Sequence, residues 1–507
     1  MNKTKRPNIL LITSDQQHWN TIGAFNSEIS TPNLDRLVRE GTTFERAYCP
    51  NPTCTPTRAS IITGQYPSQH GAWTLGTKLD EDRTTVGDLL QKDGNYRTAL
   101  IGKAHFHPIG STEEYPSLEG KDKLHDFDFW KGFTGPYYGF ERAEMARNHV
   151  NEWLAGQHYA LWMEAKGCEN WRDYFSAPTG TMDDSEKYVW RIPEAYHYNT
   201  WIAERTGELL EEYQQNDESF FLWASFPDPH PPYLVPEPWA NMYDPDALTT
   251  PKGTPGEHDA NPPHFGMTQQ PNPDFSAYME TGYGIHGYCS HLWYTEEEHK
   301  KAVAVYYGMV SFMDKTIGHI LNKLEQLGLD DDTIVVFTTD HGHFFGQHGL
   351  QAKGGFHYED LLRIPFIVKY PNVVPAGCRS DAMQSLVDLA PTFLSFAGLP
   401  VPGAMTGVDQ SAVWQDPEQS ARDHIICEFH HEPTTIHQKT YVNHRYKLTV
   451  YYNQMYGELF DLQEDPGEVR NLWNDEDYKE LKMELLMKYI WAELGKEPMP
   501  MSRISHA

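Results

Sequence analysis

Basic residues are scarce in this chain: 41 Lys and Arg stand against 71 Asp and Glu in 507 residues, a formal net charge of -30 at pH 7. No Lys/Arg-rich run or basic stripe occurs anywhere, so the footprint that displaces counterions from phosphates is missing and nucleic-acid binding is excluded. Long apolar runs are missing as well. None approaches the ~20 residues needed to span a bilayer, so no transmembrane helix and no membrane partner are expected. Lys3, Lys5 and Arg6 followed by Ile9-Leu10-Leu11-Ile12 have the outline of a secretion signal. Asp15 ends that run too early and no small-residue cleavage site follows, so it reads as a first strand. The expected compartment is the cytoplasm if the chain is complete, and the periplasm or exterior if a signal was removed. Cysteine is sparse: Cys49, Cys54, Cys168, Cys289, Cys378 and Cys427 show no C-x-x-C spacing, which argues against a zinc knuckle or disulfide framework.

What is present suits a large, well-packed globular protein. The length is two to three times that of a common domain, with 39% hydrophobic and 13% aromatic residues. Four short apolar runs each end in polar residues: Asn8 to Ser14 before Asp15-Gln16, Thr98 to Ile101 before Gly102-Lys103-Ala104-His105, Phe220 to Phe226 before Pro227-Asp228-Pro229-His230, and Thr333 to Thr339 before Asp340-His341-Gly342-His343. Continuous apolar runs of this length are typical of strands buried on both faces of a parallel sheet. Helical patterns lie between them. Thr31-Pro32 to Gly41 has a cap, Pro at the first helical position and Gly at the end, and a longer pattern runs from about Glu296 to Leu327. The alternation predicts an α/β fold, a large mostly parallel sheet sandwiched by helices. Ligands of such sheets collect at the carboxyl ends of strands, where all four polar clusters fall.

Two stretches read as insertions, an aromatic one from about 107 to 195 (Trp130, Tyr137, Tyr138, Trp153, Trp162, Trp171, Trp190) and a Pro/Gly/Asn-rich one from about 227 to 275. After Pro400-Val401-Pro402-Gly403, alternating segments at Tyr446 to Tyr452 and Glu458 to Leu462 predict a smaller C-terminal antiparallel sheet, closed by a helix from about Glu476 to Leu494. The expected division is a catalytic domain over 1–420 and a small α+β subdomain over 421–507.

Asp15, Gln16 and Asp340, with His341 adjacent, offer ligands for a hard divalent cation from two strand ends. In Cys54-Thr55-Pro56-Thr57-Arg58, a helix starting at Cys54 would lay Arg58 beside it and favour a charged or polarised group at position 54. This C-x-P-x-R run with Thr63-Gly64 resembles the signature of the formylglycine-dependent type I sulfatases of the alkaline phosphatase superfamily. The likeness extends in order through Pro7-Asn8-Ile9-Leu10, Thr31-Pro32-Asn33-Leu34-Asp35-Arg36-Leu37, Gly102-Lys103-x-His105, Asp340-His341-Gly342, Lys353-Gly354 and Glu458-Leu459-Phe460-Asp461-Leu462.

The resemblance implies an alkaline phosphatase-like fold and oxidation of Cys54 to formylglycine (3-oxoalanine) by a formylglycine-generating maturation enzyme. The hydrated aldehyde would attack sulfur with one hydroxyl, and loss of the proton from the other would expel sulfate. By the same resemblance Asp15, Gln16, Cys54, Asp340 and His341 would hold the metal. Calcium is the family expectation, with magnesium or manganese as alternatives. Lys103 and Lys353 would hold sulfate oxygens, Arg58 would polarise position 54, and His105 would act as base on the diol. His230 would stand beside the leaving oxygen, with Lys353 a proton donor there. Gln16 departs from the second Asp of many relatives. Thr57 replaces a common Ser, and Ala104 a common Trp. His70, His430 and His431 are read as structural.

The function expected is a sulfuric-ester hydrolase releasing inorganic sulfate, from a sulfated saccharide if the aromatic insertion forms a stacking wall. The alternatives are a phosphonate monoester or phosphate diester hydrolase of the same superfamily, and a non-catalytic binder of sulfated ligands if Cys54 is unmodified.

Overall fold

The structure is a computed structural model and describes residues 6–147, 155–175, 188–282, 295–501 and 503–505. Its centre is an eight-stranded sheet. From one edge to the other the strands are Cys378–Ser380, Thr42–Phe44, Phe366–Lys369, Thr333–Thr339, Asn8–Ser14, Phe220–Ser225, Arg97–Gly102 and Arg142–Met145. Phe366–Lys369 alone runs antiparallel to its neighbours, and every other pairing in the sheet is parallel. The four apolar runs identified in the sequence are therefore the four adjacent central strands.

Their double-sided burial follows from the two-residue period of a strand. Ile9, Leu11, Phe221, Trp223, Ile334 and Val336 enter one core, while Leu10, Ile12, Leu222, Ala224, Val335 and Phe337 enter the other. The first core is covered by Cys54–Thr63, Val86–Gly94 and Leu389–Phe396, the second by Pro32–Glu40, Tyr198–Gln215 and Glu296–Gln326. With both faces occupied, only the strand ends are open to chemistry. At one of them Gly102 adopts φ +111°, and a Cβ there would lie 2.0 Å from the Ser225 carbonyl oxygen. Only glycine lets that chain turn tightly into Lys103.

The aromatic insertion serves mainly as core. Trp130, Trp171 and Trp190 are 5% exposed or less, Tyr137 and Tyr138 are buried, and Trp162 packs partly buried against the second core. Trp153 lies outside the described residues. Of the two roles open to such rings, a stacking wall or core filling, the described part of that stretch takes the second, because these rings fill the space between helices and sheet.

Beyond the large sheet, strands Ile425–His430, His437–Val442, Tyr446–Tyr451 and Gly457–Asp461 form an antiparallel sheet. The helix Lys479–Gly495 packs on it through Leu485 and Ala492. This unit is stitched to the catalytic face: Glu428 N donates to the Pro50 carbonyl at 2.7 Å, and Asn51 Nδ2 donates to the Glu428 carbonyl at 2.7 Å. Both bonds lie within four residues of Cys54. Among the described residues no helix is long and apolar enough to cross a membrane.

Candidate active site

Four neighbouring strands deliver their terminal residues to one edge of the sheet. Asp15 and Gln16 follow Asn8–Ser14, Lys103 and His105 follow Arg97–Gly102, His230 follows Phe220–Ser225, and Asp340 and His341 follow Thr333–Thr339. Cys54 is the first residue of the helix Cys54–Thr63, and Lys353 comes from the loop after the short strand Gln351–Ala352.

Arg58, one turn into that helix, is completely buried. Nε donates to Asp340 Oδ2 at 2.9 Å and Nη2 to Asp15 Oδ2 at 3.2 Å. Nη1 donates to the Lys103 carbonyl at 2.9 Å and to Ser225 Oγ at 2.7 Å. Lys103 Nζ lies 2.5 Å from the same Asp15 oxygen. Cys54 Sγ has Lys353 Nζ at 3.0 Å, His341 Nε2 at 3.3 Å and Asp15 Oδ1 at 3.8 Å. Lys353 Nζ also reaches His230 Nε2 at 3.3 Å. Gln16 joins through its backbone N–H, which donates to Asp340 Oδ1 at 3.0 Å, so nine of the ten residues expected at the site form one connected cluster.

His105 stands beside it. Its backbone is left-handed, φ +60°, and is held there by one carboxylate: Glu119 accepts the backbone N–H groups of His105, Phe106 and His107 at 2.8 to 3.1 Å. Arg147 Nη2 is 3.4 Å from His105 Nε2, and His105 Nδ1 is buried without a partner. Neither Glu119 nor Arg147 carries a local sequence signal, since they join the site only through folding of the aromatic insertion.

The electrostatics correct one expectation. Arg58 bonds the two carboxylates rather than Cys54, and the Cys54 thiol is raised above its ordinary range, chiefly by burial and then by Asp15, despite Lys353 and Lys103. A thiol held neutral is a poor nucleophile. Burial would raise Asp15 as well, but Lys103, His230, Arg58 and Lys353 hold it well below the usual carboxylate range. Burial alone would lower Lys353, yet Cys54, Asp15 and Asp340 keep it above its ordinary value as a fixed cation. Burial depresses His341 to about 4 against the pull of Asp340, leaving a neutral imidazole. His105 is depressed too, by burial first and then by Lys103, Arg147 and Arg58.

The donor set suits a divalent cation. One ligand atom from each of Asp15, Cys54, Asp340 and His341 lies within 4.8 Å of the others. Gln16 Oε1 is buried without a hydrogen-bond partner. Carboxylate and amide oxygens with one neutral imidazole fit a hard ion that tolerates a nitrogen.

His70 belongs elsewhere: it bonds Ser60 Oγ at 3.0 Å, and burial lowers it to about 3. His431 is buried and meets Thr74 Oγ1 at 3.1 Å. His430 is half-buried in a pile of rings. Trp73 lies 4.7 Å from it and His437 3.9 Å, and Tyr452 lies 5.3 Å from His437.

A mostly parallel sheet with carboxylates, cations and a helix-borne residue at its carboxyl edge defines a hydrolase of the alkaline phosphatase type. The family model for sulfatases matches residues 7–399, and the model for the C-terminal part of N-sulphoglucosamine sulphohydrolase matches residues 346–493. The chain belongs to the sulfatase family and is a sulfuric-ester hydrolase. It is 28% identical to an arylsulfatase of Clostridium perfringens over 97% of this chain and 95% of that protein. It is 27% identical to an N-acetylglucosamine-6-O-sulfatase of Bacteroides thetaiotaomicron over 96% and 86%. Among solved structures, the phosphonate monoester hydrolase of Agrobacterium radiobacter shares the fold, with a TM-score of 0.80 at 23% identity over 98% of this chain and 97% of that one.

Proposed function

We propose that the protein releases inorganic sulfate from a sulfated saccharide, with position 54, oxidised to formylglycine, as nucleophile and a divalent cation held by Asp15, Gln16, Asp340, His341 and position 54. The observation that carries this reading is the setting of Cys54: it begins a buried helix, and Lys353, His341 and Asp15 converge on its side chain. Oxidation would give position 54 a hydrated aldehyde with two hydroxyls, and the cation would supply Lewis acidity beside it.

The chain's own groups have distinct tasks. Arg58, Lys103 and Lys353 against Asp15 and Asp340 leave one excess positive charge before any metal is bound, suited to a sulfate monoanion. Preorganised cations of this kind stabilise charge as it develops, without reorganising during the reaction. Arg58 also fixes the spacing of the two carboxylates. Lys353, with its raised pKa, is a better anchor than proton donor. His230 donates Nδ1–H to the Pro231 carbonyl at 2.6 Å, so its Nε2, which faces Lys353, has a proton for the leaving oxygen only in the imidazolium form, and that form would be the acid. Neutral His105, with Nδ1 unpartnered, is suited to act as base.

Support for a saccharide comes from the named activity of the Bacteroides relative and from the pile of Trp73, His430, His437 and Tyr452. His430 ends the strand bonded to Pro50 and Asn51, beside the nucleophile's loop. Purified protein is expected to release sulfate from sulfated saccharides or an aryl sulfate, and mass spectrometry of the Cys54 peptide should show the aldehyde. No release from a broad panel by protein shown to be converted would defeat the reading. An unmodified thiol from a host with competent maturation machinery would favour a non-catalytic binder.

Gln16, which lightens the negative charge of the metal shell, and the phosphonate monoester hydrolase named among the similar structures favour a second reading. Side-by-side rates on an aryl sulfate, a phosphate diester and a phosphonate monoester separate the two.

A further inference from the structure

We propose that His343, braced by Tyr233, holds the Gln16 amide with its oxygen toward the cation, and so makes glutamine workable at a position where a carboxylate would need no such help. The inference rests on the reading of Gln16 as a metal ligand. A carboxylate presents an oxygen whichever way it turns. A primary amide presents an oxygen one way and an NH2 group the other, and the NH2 group has no lone pair to give a cation. A glutamine ligand therefore needs something to select its end.

His343 is placed to do so. Gln16 Nε2 lies 2.8 Å from His343 Nδ1, and the other amide atom, Oε1, is buried with no partner. The far ring nitrogen, Nε2, lies 2.7 Å from Tyr233 Oη, which also accepts Gln351 Nε2 at 2.6 Å. Nδ1 then accepts from the amide while Nε2–H donates to the tyrosine. Rotation of the imidazole is blocked: it stacks on Tyr306 at 5.1 Å with 15° between planes and meets Phe345 edge-on at 4.7 Å. The backbone of Gln16 is pinned as well. It sits at φ +60°, its N–H donates to Asp340 Oδ1 at 3.0 Å, and its carbonyl accepts Tyr306 Oη–H at 2.8 Å. Main chain and amide nitrogen are both fixed, and Oε1 is the amide atom left buried without a protein partner, free to serve a cation. A flipped amide would turn NH2 toward the cation and could meet His343 only through the other tautomer, with Nδ1–H donating and Nε2 accepting from the tyrosine.

The test measures ion affinity, not turnover. Full-length protein stripped with chelator is titrated calorimetrically with Ca2+, Mg2+ and Mn2+, and its thermal shift at saturating ion is recorded. His343→Leu is expected to weaken binding by about 10- to 100-fold, the range for partners that orient a ligand. His343→Asn, whose Oδ1 can replace Nδ1 as acceptor, should bind within about twofold of wild type, near the limit of additivity. In a Gln16→Glu background, where both ends of the side chain are oxygens, His343→Leu should change affinity by no more than about twofold. Unchanged affinity in His343→Leu, or an equal loss in both backgrounds, would overturn the proposal while leaving the metal site standing. Failure of the wild-type protein to bind any of the ions would overturn the metal reading and this inference with it. Should His343→Leu not fold, a loss of more than about tenfold in His343→Asn overturns the proposal, since the acceptor is then still in place.

Discussion

Arg58→Met tests whether the two carboxylates are held in register by one guanidinium. The substitution keeps the apolar stem in the first core and removes bonds of 2.9 Å to Asp340, 3.2 Å to Asp15, 2.7 Å to Ser225 and 2.9 Å to the Lys103 carbonyl. Breaking one side of a buried ion pair costs about 3–5 kcal/mol, because the remaining charge keeps its desolvation penalty and loses its compensation. Metal-free protein should therefore lose about that much stability in urea or thermal unfolding at pH 7. The same deletion removes a positive charge from between two proposed ion ligands, so saturating Ca2+ or Mg2+ should restore more stability to the variant than it adds to the wild type. Sulfate release should nevertheless fall by about 10²–10³-fold, the cost of losing one preorganised donor. Arg58→Lys keeps the charge but cannot span both carboxylates, so it should be intermediate in stability and still impaired in rate. A metal-free Met variant as stable as wild type, or an equal gain from the ion in both proteins, would refute the account.

His105 supplies a pH prediction. Its pKa is lowered by burial, Lys103, Arg147 and Arg58, so the neutral form persists below the ordinary histidine value and the acid limb of kcat/KM assigned to it should lie below pH 6.5. A His105-dependent limb at or above that value, in wild type compared with His105→Gln, would contradict the assignment. His348 is buried, with Nδ1 2.9 Å from Glu257 and Nε2 3.7 Å from Asp360; burial opposes its charge, but these carboxylates push it up to about 9 from 6.5. Because the folded value is raised, roughly 3 kcal/mol of stability should be fully present below pH 6.5 and lost as pH rises through about 9. Tm should drop across that window more in wild type than in His348→Gln, and parallel curves would count against the ion cluster. Trp73→Ala should raise KM for a sulfated saccharide by about 2- to 10-fold, the worth of one ring face, and leave a small aryl sulfate unaffected; equal changes on both substrates would remove the pile from the binding site.

The central architecture was legible because its strands are buried on both faces. A run such as Asn8 to Ser14 must then be almost wholly apolar, and that is readable without a partner strand. The outer strands were not legible. Thr42–Phe44, Cys378–Ser380 and Arg142–Met145 hold three or four residues each, too short for a period to show, and the antiparallel direction of Phe366–Lys369 is set by chain connection rather than composition. At the site, ordered motifs pointed to residues that the fold draws together, but not to who bonds whom. Arg58 was expected to act on Cys54 from helical spacing and from the family resemblance. The folded chain gives it better acceptors in Asp15 and Asp340, which come from strands about 325 residues apart in sequence. Composition left the insertion undecided, since an aromatic residue that fills a core and one that lines a cleft look the same until burial is known.

The scarcity of basic residues takes on a different meaning once their positions are known. Arg58 and Lys103 are buried and Lys353 turns its Nζ onto Cys54, so these three of the chain's 41 cations are directed at one point from which much water is excluded. Surface charges are screened within about 8–10 Å at ordinary ionic strength, whereas buried ones are screened far less. A sulfate group at the strand ends would therefore respond to the few cations around it and hardly to the acidic exterior. Net charge thus bears on which molecules approach the protein from a distance. On the proposed reading, the affinity of the pocket would be decided by Arg58, Lys103, Lys353 and the cation that the carboxylates and Gln16 would hold.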